Sequence, residues 1–330
     1  MTLKNQESEV LQANAHRLVD LCAGVKQSER VLLIFDSTTR EIETYLRTAA
    51  DAATNAVVVA YMDTSAMHGI EPPQNVVAAM EQADVILGLT KSSLAHTEAR
   101  FRATNRGARY LSLPQYGIAQ LSRPSLAIDF VAVAQKGKSL KTILDAANHI
   151  VITTEEGTHL ELSVGGRVAN WAPGYCHEPG MLGSPPDIET NIAPLEHASQ
   201  GILFVDGSVP CEELGLLKER VQVTVKDGAI VDTGTTAEGL ILKKLLESVP
   251  DNKRKVLAEF GVGFNPEARL SGLMLEDEGA LGTVHFGFGS NATIGGVNKT
   301  SFHLDMVITK PTVDVDGVRI IENGLHLFSL

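Results

Sequence analysis

VLLIFDSTTRE (31–41) opens on a continuous apolar run that stops at an acid, Asp36. A run without polar alternation reads as a strand buried on both faces, as in a parallel sheet covered by helices. The turn after it, STTRE, contains no glycine. A dinucleotide site needs glycine there so that the backbone can approach a pyrophosphate. The outline is Rossmann-like, but a nucleotide cofactor is rejected. Upstream, residues 7–24 carry Val10, Leu11, Ala15, Leu18 and Leu21 at helical spacing along one face. Downstream, a helix is predicted near 39–53, capped by Thr38 or Thr39. AVVVAY (56–61) comes next as a second buried strand, then a helix near 73–82 after Pro72-Pro73. DVILGL (84–89) and RYLSL (109–113) read as the third and fourth strands. Alternating strand and helix imply right-handed crossovers. The N-terminal half is therefore predicted as a Rossmann-like, doubly wound parallel sheet of the α/β class.

The pattern changes near residue 150. VITTEEGTHLELSVGG (151–166) alternates and turns at Glu156-Gly157. A Gly/Pro-rich loop is expected at 170–190, then a strand at 202–207. A hairpin at 221–234 turns on Lys226-Asp227-Gly228. An amphipathic helix is predicted at 236–249. TVHFGFG, SFHLDMVI and a hairpin at Asp316-Gly317 complete a mainly antiparallel half. The expected division is residues 1–145, Rossmann-like, and 146–330, an α+β metal-binding domain.

The chain has 330 residues, enough for two domains, and a formal charge of −12. A net acidic protein repels phosphate backbones and anionic membranes, so no nucleic-acid or membrane partner is expected. No window approaches 18 uninterrupted apolar residues, and MTLKNQESEV lacks the basic and apolar regions of a signal peptide. The three cysteines, Cys22, Cys176 and Cys211, suit a reducing cytoplasm and match no zinc module.

His303 and Asp305 lie two apart in a strand-like segment, so their side chains project from the same face. Phe302, Leu304 and Met306 face the other way, into packing. The pair is either a structural hydrogen bond or part of a metal site. His285, in GTVHFGFGSN (282–291), has apolar neighbours, and an inward histidine needs a partner. Two histidines and a carboxylate on adjacent strands make a facial triad suited to Fe(II). Glu259, in the apolar VLAEFGVGFNP (256–266), is a further ligand or base, because a buried glutamate is paired or coordinating. With it the set also suits zinc or cobalt in hydrolysis. Glu189 is a weaker candidate ligand. Glu276-Asp277-Glu278 reads as a solvated turn. His16, His68, His149, His197 and His326 read as surface or satisfied histidines.

AEFGVGFNPEA (258–268), LEDEGALGTVHFGFGSN (275–291) and SFHLDMVI (301–308) together resemble the M29 metallo-aminopeptidase superfamily, of the aminopeptidase T type. That superfamily includes a branch of Fe(II) ring-opening enzymes, the 2,5-dihydroxypyridine 5,6-dioxygenases. In the aminopeptidases two glutamates, two histidines and an aspartate surround two metals. The resemblance assigns those positions to Glu189, Glu259, His285, His303 and Asp305. The peptidases also place a tyrosine seven residues after the first histidine, where this chain has Ala292. Loss of that hydroxyl turns the expectation from peptide hydrolysis, with zinc or cobalt, toward an iron dioxygenase using a small aromatic substrate and O₂. Lys253, Arg254 and Lys255 stand just before the AEFG motif, where a histidine ligand of the dioxygenases is one possibility. His177, in GYCHEPG (174–180), and His96, in KSSLAHTEAR (91–100), are candidate acid–base groups for a hydroxylated pyridine. The resemblance also implies a homodimer or larger homo-oligomer.

Overall fold

β1 (Arg30–Phe35) is buried along nearly its whole length, as its composition requires, and the rest of the first sheet is built around it. The structure, a computed structural model, describes residues 3–65, 67–248 and 250–328. Met1, Thr2 and Val249, the last residue of the predicted helix 236–249, lie outside the described residues.

α1 (Leu3–His16) precedes β1 and runs into a π-helical turn at Arg17–Cys22. The wider turn inserts one residue and rotates the side chains beyond it around the helix axis. Leu11, Ala15 and Leu18 are buried as expected, but Val10 and Leu21 are exposed, while Val19 and Cys22 take inner positions. After β1, a 3₁₀ turn at Arg40–Ile42 leads into α2 (Glu43–Ala53) and β2 (Ala56–Tyr61). Next in the chain are α3 (Gln74–Met80), β3 (Val85–Leu89), α4 (Glu98–Asn105), β4 (Arg109–Ser112) and α5 (Ile118–Leu121).

β2 and β3 flank β1 in parallel, and β4 pairs with β3. β2 is an edge strand rather than a fully buried one, and Val58 and Tyr61 are exposed. The strand order reverses between β1 and β3, the mark of a doubly wound sheet. Asp36 closes the carboxyl end of β1. Its Oδ1 accepts from the Thr38 amide at 2.9 Å and its Oδ2 from the Lys91 amide at 2.7 Å. Thr39 is no side-chain cap; its hydroxyl donates to the Leu89 carbonyl at 2.6 Å, tying β1 to β3.

α6 (Phe130–Asp145) leads to β5 (His149–Thr153), β6 (His159–Ser163) and β7 (Asn170–Ala172). The predicted 170–190 loop is not structureless: it holds β7, β8 (Leu182–Gly183) and the start of β9 (Glu189–Ile192). β8 joins the first sheet beside β4. Then come β10 (Gln200–Val205), β11 (Ser208–Val209), β12 (Gly215–Leu216), β13 (Val221–Lys226) and β14 (Ala229–Asp232). Asp227 and Gly228 both take positive φ, the turn its Asp-Gly sequence specifies. α7 (Ala237–Glu247), capped by Thr236, precedes β15 (Leu257–Gly263). α8 (Met274–Glu278), β16 (Thr283–Gly289), β17 (His303–Thr309), β18 (Thr312–Val315), β19 (Val318–Glu322) and β20 (Leu325–His326) end the chain's described elements.

These later strands form two antiparallel sheets. One runs β14-β13-β10-β6-β5-β18-β19-β20, the other β12-β11-β17-β16-β15-β9-β7. The chain divides into one unit of Met1–Phe130 with Pro173–Pro186, and a second of Val131–Ala172 with Asp187–Leu330. The expected boundary, 145, falls at the end of α6. That helix belongs with the second unit because its carbonyls take hydrogen bonds from β7 and β9. Trp171 Nε1 donates to Ala134 and Thr190 Oγ1 to Gly137, each at 2.8 Å.

Candidate metal centre

The site grows out of one face of the β17-β16-β15-β9 ribbon. Directly paired residues of antiparallel strands point to the same side. His303, Asp305 and Val307 pair with Gly289, Gly287 and His285. Gly287 and His285 pair in turn with Glu259 and Gly261, past an irregularity between Leu257 and Glu259. Gly261 and Gly263 pair with Asn191 and Glu189. Histidine and carboxylate positions thus alternate with glycines on this face. The glycines make the room: a Cβ at Gly261 would overlap the His285 ring, and one at Gly287 would stand 2.7 Å from His303 Nε2. The sequence signal was present as Glu259-x-Gly-x-Gly and His285-x-Gly-x-Gly, both at period two.

The donor atoms form two overlapping groups. Glu189, Glu259 and His285 make one, and Glu259, His303 and Asp305 the other, each with donor atoms within 4.8 Å of one another. Glu259 is common to both. His303 Nε2 lies 3.2 Å from Asp305 Oδ1 and 3.3 Å from Glu259 Oε2. His285 Nε2 lies 2.8 Å from Glu189 Oε2 and 3.9 Å from Glu259 Oε1. The expected triad of His285, His303 and Asp305 is not itself one of these groups; among the described residues His285 groups with Glu189 and Glu259, and His303 with Glu259 and Asp305.

Two observations fit this set to a divalent cation. The first is tautomeric. His303 Nδ1 lies 2.9 Å from the Ser290 carbonyl, which can only accept, so Nδ1 carries the hydrogen. The Nε2 lone pair of the neutral ring then faces two carboxylates. That arrangement is repulsive unless the ring is protonated or a cation sits among the three. The second is an orphan. Glu189 Oε2 is buried with no hydrogen-bond partner although His285 Nε2 is close, so the contact lacks hydrogen-bond geometry. Two lone pairs converging on one region are what a metal satisfies. Mixed imidazole and carboxylate donors suit Fe, Mn, Co or Zn.

The electrostatics without a cation agree. Burial disfavours charge on His285 and His303, yet the carboxylates outweigh it and raise both pKa values well above the usual range. Burial would raise Glu259, but His285 and His303 hold it below its ordinary value. Asp305 is lowered in the same way, with burial outweighed by His303. Glu189 is raised, by burial first. His303 has 34% of its side chain exposed, against 1% for His285, so the centre opens to solvent on the His303 side.

Asp187 and Glu278 form a second layer that the sequence pattern did not reveal. Both are buried, and burial first, then the neighbouring acids, raises both well above the usual carboxyl range. Glu278 and Asp305 shift one another in opposite directions, Glu278 upward and Asp305 downward. The run Glu276-Asp277-Glu278 is therefore not a solvated turn but α8, with all three acids buried. Asp277 accepts from the amides of Ser271 at 2.6 Å and Gly272 at 2.8 Å. A charge run on a short helix gives no local sign that its loop will fold back over it.

Other candidate residues lie elsewhere. Ala292, at the peptidases' tyrosine position, is exposed. Lys255 pairs with Glu247 at 3.6 Å, and Arg254 stacks on Phe302. His96 and His177 belong to the first unit. His96 is exposed in the loop after β3, at the carboxyl edge of the sheet. His177 stands at the opposite edge, stacked on Tyr175, with Nε2 donating to the Leu21 carbonyl at 2.6 Å. It lines a cavity of about 600 Å³ with Lys26, Arg30, Arg106 and Arg109. His68 is satisfied by the Ser93 amide at 3.0 Å, but half-buried His326 has both ring nitrogens shielded and neither bonded. All three cysteines are free thiols.

A unit with a parallel sheet and a unit of antiparallel sheets carrying a five-residue histidine–carboxylate cluster define an α/β-class protein with a candidate metal centre. The chain belongs to the NicX, or 2,5-dihydroxypyridine 5,6-dioxygenase, family, whose model matches residues 11–327. A curated relative, 2,5-dihydroxypyridine 5,6-dioxygenase of Pseudomonas putida KT2440, is 23% identical over 194 residues. That match covers 56% of this chain and 55% of the relative, so it spans about half of that protein's length. The solved structure of 2,5-dihydroxypyridine dioxygenase from the same organism superposes with a TM-score of 0.77 at 18% identity, covering 97% of each chain. Wild-type AmpT from Thermus thermophilus gives 0.70 at 15% identity, covering 97% of this chain and all of that one. Both likenesses establish the fold.

Proposed function

We propose that this protein is an Fe(II)-dependent ring-cleaving dioxygenase acting on a hydroxylated pyridine of the 2,5-dihydroxypyridine type, with O₂ as co-substrate. The observation that carries the reading is the cluster of Glu189, Glu259, His285, His303 and Asp305 inside the segment that matches the dioxygenase family. Bound there, iron supplies the one-electron chemistry that lets O₂ react with an aromatic ring. His303 borders the open side, where a planar substrate would enter. Glu259, whose carboxyl the two histidines hold below its ordinary value, is the group proposed to take the proton of a substrate hydroxyl. His96, exposed after β3, and His177, one nitrogen of which is committed to the Leu21 carbonyl, remain the proposed acid–base candidates of the first unit.

A cytoplasmic location and a homo-oligomeric state belong to this proposal. The free cysteines support the first, and no described helix is long and apolar enough to cross a membrane. The direct test is anaerobic purification, loading with Fe(II), and measurement of O₂ uptake together with loss of the 2,5-dihydroxypyridine absorbance. Stoichiometric consumption of both is expected. Iron-loaded protein that consumes neither would sink the reading.

One observation favours a second reading. Glu259 belongs to both donor groups, and a shared carboxylate is what bridges a pair of metals in a hydrolase. Two zinc or cobalt ions per chain, with release of p-nitroaniline from Leu-p-nitroanilide, would establish an aminopeptidase instead.

A further inference from the structure

Glu189 is oriented from outside the metal centre by two amides whose polarity is dictated by a backbone carbonyl. The carbonyl of Ile294 can only accept, and Asn170 Nδ2 donates to it at 3.2 Å. The same Nδ2 donates at 3.1 Å to Asn191 Oδ1. With its oxygen committed to Asn170, Asn191 must turn its nitrogen the other way. Nδ2 then donates to Glu189 Oε1 at 2.8 Å. Ile294 is itself fixed, because its amide donates to the Asn291 carbonyl at 3.1 Å. Asn291 in turn donates to the buried Glu196 at 3.0 Å. The Ile294 carbonyl sets the orientation of the Asn170 amide, and Asn170 sets that of Asn191.

We propose that Asn191 is a positioning residue acting through Glu189: it occupies Oε1 and leaves the bare Oε2 turned toward the cation, and so sets the affinity of the centre for metal. The proposal rests on the reading of Glu189 as a ligand. Asn191 is buried on β9 two residues from Glu189, on the same face, opposite Gly261 and Asn170. A lysine or arginine would hold the carboxylate as well, but would bring a positive charge that competes with the metal. An amide donates while remaining neutral. Partners of this kind orient ligands, and their loss lowers metal affinity about 10- to 100-fold.

The experiment is titration of the full-length, metal-free chain with Zn(II), and with Fe(II) under argon, against a chromophoric chelator. Asn191→Leu is expected to weaken binding by about 10- to 100-fold. Asn191→Ala, which also removes the donor and adds no charge, is expected to weaken it to a similar degree. In a Glu189→Gln background, Asn191→Leu is expected to cause no additional loss. A residue that merely supports the strand would weaken both backgrounds equally, and that result would overturn the proposal. So would unchanged affinity in Asn191→Leu. If Asn191→Leu does not fold, Asn191→Ala carries the same comparison, with far-UV circular dichroism confirming its fold. Because the readout is metal affinity, a chain that binds metal through Asn191 and Glu189 but consumes no pyridine sinks the dioxygenase reading alone.

Discussion

At the scale of single residues, the centre depends on absent side chains as much as on present ones. Glu259 and His285 are usable because Gly261 and Gly287 leave their neighbours no Cβ to meet. Gly261→Ala is therefore expected to displace the His285 ring. Overpacking of a buried strand costs about 1–3 kcal/mol. The denaturant midpoint should fall accordingly, and Zn(II) affinity should fall with it, since a shifted ring no longer meets Glu189. Unchanged metal binding in a folded Gly261→Ala protein would show that His285 is not a ligand. His303 illustrates the complementary point. Its value to a metal lies in the Ser290 carbonyl, which fixes the tautomer and frees Nε2.

At the scale of elements, β20 carries an unusual load. His326 packs against Phe264 at 5.0 Å and Phe328 at 5.2 Å, with both nitrogens unbonded. Burial first, then Lys136, lowers its pKa from 6.5 to about 4. The unfolded chain then binds a proton that the folded chain refuses at any pH between those values. Its contribution is complete above the unfolded value and is lost as pH falls toward 4. At 1.36 kcal/mol per unit the loss amounts to about 3 kcal/mol. Denaturant unfolding at pH 7 and pH 4.5 should show it, and His326→Phe should remove this part of the acid sensitivity. Equal acid sensitivity in both proteins would refute the assignment. The histidine's bland sequence context concealed this, because its aromatic neighbour Phe264 lies far away along the chain.

At the scale of the whole molecule, the second unit carries a concentrated acidic cluster, so its stability is expected to depend on occupancy. A ligand present at about 1,000 times its dissociation constant stabilises the folded state by about 4 kcal/mol. Adding Zn(II) or Fe(II) to the metal-free chain should raise the thermal midpoint, and a chelator should reverse the rise. A midpoint indifferent to both would mean that the cluster holds no metal.

The sequence by itself determined the parallel first sheet, because burial on both faces writes itself as an unbroken apolar run such as VLLIF. It also determined that His303 shares a face with Asp305, because strand periodicity is local. Glu259 and His285 were legible as polar residues in apolar strands. Tertiary structure alone decided the rest. The buried acids Asp187 and Glu278, the sharing of Glu259 between two donor groups, the exposure of β2 at a sheet edge and the isolation of His326 all depend on strand register and loop return. Those are set by contacts between residues far apart in the chain, and no local period records them.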